Sequence, residues 1–221
     1  MGLSFYRQIL RQLSRASRQR KFELLNQVFR PRPEDRVLDI GASGTTFTAY
    51  TFQDYYPYPN RVVAGGIDRL EIFAARRLYP QAKYAIFDGC ALPFPDKSFD
   101  LVFSNAVIEH LPTGGHQQRF AQEIMRVGRS WFVTTPNYWF PFETHYHLPF
   151  IQFMPRELQR CYNRWLGTHI PKGRVPHLAL LSAREMRALF PGSRVVGVRV
   201  TFWPETLVAF SVDASRVAGT R

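Results

Sequence analysis

The sequence predicts an α/β fold: a central, mostly parallel sheet of seven strands flanked by helices. Three observations predict it. Short apolar runs alternate with segments of helical period along most of the chain. Three of these runs in succession lead to an aspartate, Asp39, Asp68 and Asp88, which places a polar rim along the carboxyl edge of a parallel sheet, where such sheets bind ligands. The first run opens into a small-residue turn, Gly41-Ala42-Ser43-Gly44, which lets backbone come close to a ligand.

Before Pro31, Phe5, Tyr6, Ile9, Leu10 and Leu13 fall on one helical stripe with arginines between them, and Phe22, Leu25, Val28 and Phe29 repeat the pattern. One or two helices are expected there, ended by Pro31 and Pro33. Arg36–Ile40 is the first strand, Thr45–Thr51 the helix after it, and the Pro/Tyr-rich stretch 54–60 a turn. Strands follow at Arg61–Ile67, Lys83–Phe87, Phe99–Ser104 and Ser130–Thr134, with helices at Leu70–Tyr79 and Gln117–Val127. Region 136–177 interrupts the alternation. It is rich in proline and aromatics and holds four of the six histidines, and long connections inside domains are commonly functional. A helix at Ala183–Phe190 and strands at Arg194–Val200 and Glu205–Ser211 complete the pattern. The chain thus divides into a basic amphipathic segment (1–33), an α/β domain (34–211) carrying the insertion, and a loose tail (212–221).

With 221 residues, 45% hydrophobic and 21% charged, the chain is long enough to bury one core without staples. It has no apolar run of transmembrane length, and its first twenty residues lack the apolar run of a signal peptide. Two cysteines, Cys90 and Cys161, make neither a disulfide framework nor a zinc set, which suits the cytoplasm. The net charge is +12, and residues 1–36, with nine basic and three acidic residues, carry half of it. Such a surplus attracts nucleic acid, anionic lipid or acidic substrates, or simply forms a solvated helix face.

The glycine turn alone serves a nucleotide, a dinucleotide or a plain tight turn. It lacks the Lys-Ser/Thr of a phosphate-binding loop, and Phe47 stands where a dinucleotide fingerprint needs a small residue. Asp68 follows the turn glycines by 24–27 residues, at the end of the next strand, where an acid can accept from two ribose hydroxyls. Residues 86–111 then read Ile-Phe-Asp-Gly-Cys-Ala-Leu-Pro-Phe-Pro-Asp-Lys-Ser-Phe-Asp-Leu-Val-Phe-Ser-Asn-Ala-Val-Ile-Glu-His-Leu. This segment resembles the class I S-adenosylmethionine-dependent methyltransferases of Rossmann-like fold, in the type 11 subfamily typified by ubiquinone and menaquinone methylation enzymes. Val37–Gly41 and Gly66-Ile67-Asp68 match that family's first two motifs in order and spacing. The likeness is looser through Gly128–Asn137 and says little about 1–30 or 140–177.

The resemblance implies S-adenosyl-L-methionine as cofactor and a role for each matching position. Asp39 and Gly41 would hold its methionine end, with Ser43 and Gly44 continuing the turn. Asp68 would take the ribose hydroxyls. Asp88, with the backbone of Gly89, Cys90 and Ala91, would recognise the adenine amino group, and Ser104, Asn105 and Ala106 would line the cleft near the sulfonium. The family writes glycine where this chain has Ser43 and Thr45, which puts the turn's geometry in question.

Methyl transfer asks the protein chiefly to align nucleophile and methyl, and a hydroxyl acceptor also needs its proton removed. The candidates for that task are His110, His145 and His147, with Glu109 orienting. His145 and His147 sit at a spacing that can bind metal, but no third ligand follows at a matching interval, so no metal is expected. An aromatic-rich insertion over the cofactor suits a small apolar or aromatic acceptor, with O-methylation favoured. The basic N-terminus either meets an anionic membrane surface or closes the cofactor cleft. A non-catalytic homologue, a nicotinamide oxidoreductase and a nucleic-acid methyltransferase are the competing classes. Against the last, the chain has no Asn/Asp-Pro-Pro-Tyr/Phe element for a flipped base, and Thr135-Pro136-Asn137-Tyr138 lacks that order.

Overall fold

The computed structural model describes residues 2–44, 51–112, 115–143, 145, 148–166 and 178–217, with residues 2–11, Leu166 and Val217 described by backbone alone. Seven strands form one sheet in the order β3-β2-β1-β4-β5-β9-β8. These are β1 (Val37–Ile40), β2 (Val62–Gly66), β3 (Lys83–Ile86), β4 (Phe99–Asn105), β5 (Gly128–Pro136), β8 (Arg194–Val198) and β9 (Thr206–Ser211); a two-stranded hairpin, β6 (Phe142–Glu143) with β7 (Leu148–Pro149), stands apart. Strands β1 to β5 pair in parallel, and β9 runs antiparallel between β5 and β8. All seven sheet strands lie where the apolar runs predict them, within two residues at most ends.

The centre of the sheet is β1, Val-Leu-Asp-Ile, with all four residues buried. A strand covered on both faces reads as a continuous apolar run rather than an alternation. Val37 pairs with Val62 on one side and Leu101 on the other. Strand order reverses between β1 and β4, and a doubly wound sheet opens its ligand crevice at such a switch point, beyond the carboxyl ends of its strands.

Helix α1 (Gly2–Phe29) is a single helix. Ser17, Lys21, Leu25 and Phe29 recur every four residues along it and are all buried, so its second half packs into the domain. Phe22 stacks on Tyr55 at 4.4 Å and on Phe103 of β4 at 5.6 Å. The helix ends at Arg30, whose φ of 53° turns the chain left-handed before Pro31. The stretch 54–60 is less of a turn than expected: it contains the end of a short helix, α2 (Phe52–Tyr55), and leads into a 3-10 turn at Pro59–Arg61. The helix expected over Thr45–Thr51 falls almost wholly outside the described residues. Helices α3 (Arg69–Leu78), α4 (His116–Val127) and α6 (Ala183–Leu189) match expectation, and α5 (Arg156–Leu166) lies in the insertion. No described helix is long and apolar enough to cross a membrane.

The tail corrects its expected looseness as far as Val217. Ala214–Val217 forms α7, and Arg216 grips Asp35 with both terminal nitrogens, at 2.6 and 2.7 Å, while lying 3.9 Å over the Phe29 ring. Asp35 is 2% exposed, so removing its cation leaves a buried carboxylate without compensation. Arg216→Ala should therefore destabilise the fold by about 3 kcal/mol, read as a lower urea midpoint at unchanged slope.

Candidate functional site

The crevice begins where β1 ends. Gly41 has a φ of +93°, and a Cβ there would lie 2.2 Å from Val107 Cγ2. Both its conformation and its neighbour therefore require glycine. The N–H groups of Gly41 and Ala42 donate to the Gly65 carbonyl of β2, at 2.8 and 3.2 Å. At Gly44 a Cβ would strike the α3 backbone, 2.1 Å from the Ala75 nitrogen. Ser43 stands at a family glycine position, and its hydroxyl donates to Glu71 Oε2 at 2.7 Å. The same oxygen accepts the Gly44 N–H at 2.9 Å. The substituted turn is thus pinned to the first turn of α3. Glu71 was not singled out from sequence; its signal is an acid three residues after Asp68. Thr45 lies outside the described residues.

The three aspartates sit at or just beyond the ends of β1, β2 and β3. Asp39 is buried and accepts from Gln53 Nε2 of α2 at 2.9 Å. Burial pushes its carboxyl up to about 7, against the pull of that hydrogen bond. Asp68 is exposed and caps α3, its Oδ1 accepting from Leu70 and Glu71 N–H. Asp88 Oδ1 accepts the Cys90 N–H at 2.8 Å, and the Cys90 thiol donates to the His116 carbonyl. Asp68 thus uses Oδ1 for its cap, and its Oδ2 makes no hydrogen bond among the described residues. Gly89 lies against Phe120, whose ring a Cβ would meet at 2.6 Å.

Across the switch point, β4 ends in Asn105. Its Oδ1 accepts from Thr134 Oγ1 at 2.8 Å and from Lys21 Nζ at 2.7 Å. Burial lowers the Lys21 ammonium to about 8. Lys21 is a site residue that its place in a basic stripe concealed. Ala106 follows with φ +57°, a strained conformation for a residue with a Cβ, held by its N–H on the Thr134 carbonyl at 3.0 Å.

That turn delivers Ile108–His110 as a 3-10 helix. Glu109 is fully buried; its Oε2 accepts from Thr135 Oγ1 at 3.1 Å, and its Oε1 has no partner among the described residues. Burial pushes its carboxyl up to about 7. Next to it the His110 ring stands edge-on to His145, with centroids 4.9 Å apart. Burial, followed by the neighbouring His145, pushes His110 down to about 4. His145 is held from behind: its Nδ1 lies 2.7 Å from Oε1 of buried Glu143. Burial opposes charge on His145, but the Glu143 hydrogen bond and charge, with Glu109, outweigh it and raise its pKa. One ligand-capable atom from each of Glu109, His110 and His145 lies within 4.8 Å of the others. Spacing offers no third ligand to a 145/147 pair, whereas the fold brings His145 beside two residues far upstream. His147 lies outside the described residues.

In the insertion, Trp139, Phe150, Phe153 and Trp165 are exposed, Trp165 at 82%. Tyr138, Trp139 and Phe153 form a ring cluster, and Leu148 and Ile151 make a small core with Tyr162 and Leu178.

Residues 38–130 match the methyltransferase domain family. Two uncharacterized proteins from strains of Mycobacterium tuberculosis are 34% identical over 89 residues, 40% of this chain. The match spans only 28% of those relatives' length. Among solved structures, a SAM-dependent methyltransferase from Thermotoga maritima aligns with a TM-score of 0.57 at 14% identity, covering 96% of each chain. A Pyrococcus horikoshii protein gives 0.57 at 16%, over 93% of this chain and 89% of that one. A Methanosarcina mazei SAM-dependent methyltransferase gives 0.52 at 17%, over 82% and 94%. At such identities these likenesses speak for the fold. Sheet order and crevice agree with these likenesses: the chain has a Rossmann-like fold, and its residues 38–130 match the methyltransferase domain family.

Proposed function

We propose that the protein transfers a methyl group from S-adenosylmethionine to the oxygen of a small apolar or aromatic acceptor. The observation that carries this reading is the row of acids at the ends of β1, β2 and β3, facing the Asn105–His110 turn across the switch point. The acidic set suits the cofactor. A half-buried cation fits beside Asp39, a diol fits the exposed Asp68 carboxylate, and an exocyclic amine fits the Asp88 carboxylate. Gly41 and Gly44 let the turn pack directly against the Val107 side chain and the α3 backbone.

The cofactor, when bound, supplies an activated methyl and its own leaving group. This chain's residues orient, exclude water and manage a proton. Alignment of nucleophile and methyl can supply about 7–11 kcal/mol. The strained Ala106 turn and the Lys21–Asn105–Thr134 hydrogen bonds fix one wall of the cleft. The acceptor hydroxyl lies against His110, the exposed member of the Glu109–His110–His145 cluster, which eases loss of its proton. With Lys21 and Phe22 inside the domain, the second half of α1 acts as a cleft wall rather than a membrane anchor. Glu71 compensates for Ser43, which favours a working cofactor turn over a non-catalytic homologue. A screen of hydroxylated aromatic compounds with methyl-labelled cofactor tests the activity. A folded protein that shows no calorimetric binding of S-adenosylmethionine sinks the reading.

Asp39 gives the cofactor affinity a predictable pH dependence. Only its ionised form attracts the cofactor's cationic end. Below about pH 7, binding must first expel its proton, costing up to about tenfold in affinity per pH unit. Affinity should therefore rise from pH 6 to pH 8, and Asp39→Asn should flatten that slope as well as weaken binding. Glu71→Ala frees both Ser43 and Gly44, and should lower cofactor affinity by roughly tenfold with little change in thermal midpoint.

A further inference from the structure

We propose that Glu109, His110 and His145 bind a divalent transition cation of the zinc type, leaving an open coordination position toward the cleft. The ligand-capable atoms converge within 4.8 Å of one another. The three residues come from two separate elements, the 3-10 turn after β4 and the connection between β6 and β7, so the grouping is a product of the fold. Two imidazoles and one carboxylate are a zinc donor set with three protein ligands and room for one more. Magnesium and calcium prefer all-oxygen shells and fit it poorly.

Each ligand is already prepared. Glu109 Oε1 is buried without a hydrogen-bond partner among the described residues, while Oε2 is fixed by Thr135. A buried carboxylate oxygen without a partner is costly, and a cation satisfies it. His145 Nδ1 is taken by Glu143 Oε1 at 2.7 Å, which leaves Nε2 as the ligating nitrogen. A buried carboxylate behind a ligating histidine fixes the ring and strengthens the ligand. Around the site, Glu109 and Glu143 are both buried carboxylates, and the nearby Lys21 ammonium is engaged by Asn105. His110 is the exposed member, which puts the open position on the cleft side.

Resting on the methyl-transfer reading, this names the acceptor class: a hydroxyl whose oxygen takes the open position. Coordination lowers the pKa of that hydroxyl. Its proton leaves to solvent, its oxygen pair forms the bond to the methyl carbon, and the carbon–sulfur pair returns to sulfur.

Chelator-treated full-length protein is titrated with zinc by calorimetry and with cobalt(II) by visible absorption. One ion per chain is expected, with tetrahedral-type cobalt bands and proton release on binding. His110→Ala and His145→Ala should each weaken binding at least tenfold, and Glu143→Gln by about 10–100-fold. Cys90→Ser and Cys161→Ser should leave it unchanged. The proposal is overturned if the folded wild type takes up no stoichiometric ion, or if the histidine variants bind as well as it does. Where a histidine variant fails to fold, Glu143→Gln with the cobalt spectrum decides. S-adenosylmethionine calorimetry on the same samples separates the two readings. Cofactor binding without metal uptake removes only this proposal, and metal uptake without cofactor binding leaves the site standing and removes the methyl-transfer reading.

Discussion

The turns leaving β1 and β4 pass so closely that Gly41 has no room for a Cβ beside Val107, and the rest of the site is arranged around that approach. Asp39 lies on the strand that enters one turn, and Asn105 ends the strand that enters the other. Because Val107 leans on Gly41, the chain after β4 must fold sharply, and Ala106 accepts a left-handed conformation to do so. The same fold rotates Glu109 inward until it is fully buried. The packing of one side chain on one glycine thereby joins the two walls of the crevice.

Burial of charge is the second organising theme. Asp39, Glu109, Glu143 and Lys21 are all buried, and isolated buried charges are expensive. The domain handles most of them locally, with Gln53 on Asp39, Thr135 on Glu109, His145 on Glu143 and Asn105 on Lys21. Asp39 and Glu109 nonetheless sit with raised affinity for protons. Groups displaced in this way cluster where a site awaits charged ligands. The structural pair Asp35–Arg216 is different, since its two hydrogen bonds and the Phe29 ring complete it.

Much of the sheet was readable because parallel strands buried on both faces are compact apolar words, such as Val37–Ile40, and each of the first three leads to an aspartate. The helices α3 and α4 were readable for the same reason, from apolar periodicity. What escaped depends on distant partners. Nothing local marks Lys21 as different from its neighbouring arginines; it matters because Asn105 lies 84 residues on. Arg216 is one arginine in a polar stretch until Asp35 meets it. Glu109, His110 and His145 could each be named as reactive types, but their mutual geometry is a property of the packed turn and hairpin. Ser43 looked like a defect in the glycine turn because Glu71, its compensating partner, belongs to another helix.

Lys21 brings a final consequence. Its bond to Asn105 makes the docking of α1 and the shape of the crevice parts of one equilibrium. Thermodynamic linkage then works in both directions: a cofactor that prefers the docked helix tightens the helix, and any contact that draws the helix away loosens the cofactor by the same factor. The first half of α1 bears arginines at 7, 11 and 15, and through this bond it becomes a lever on the crevice as well as a carrier of charge.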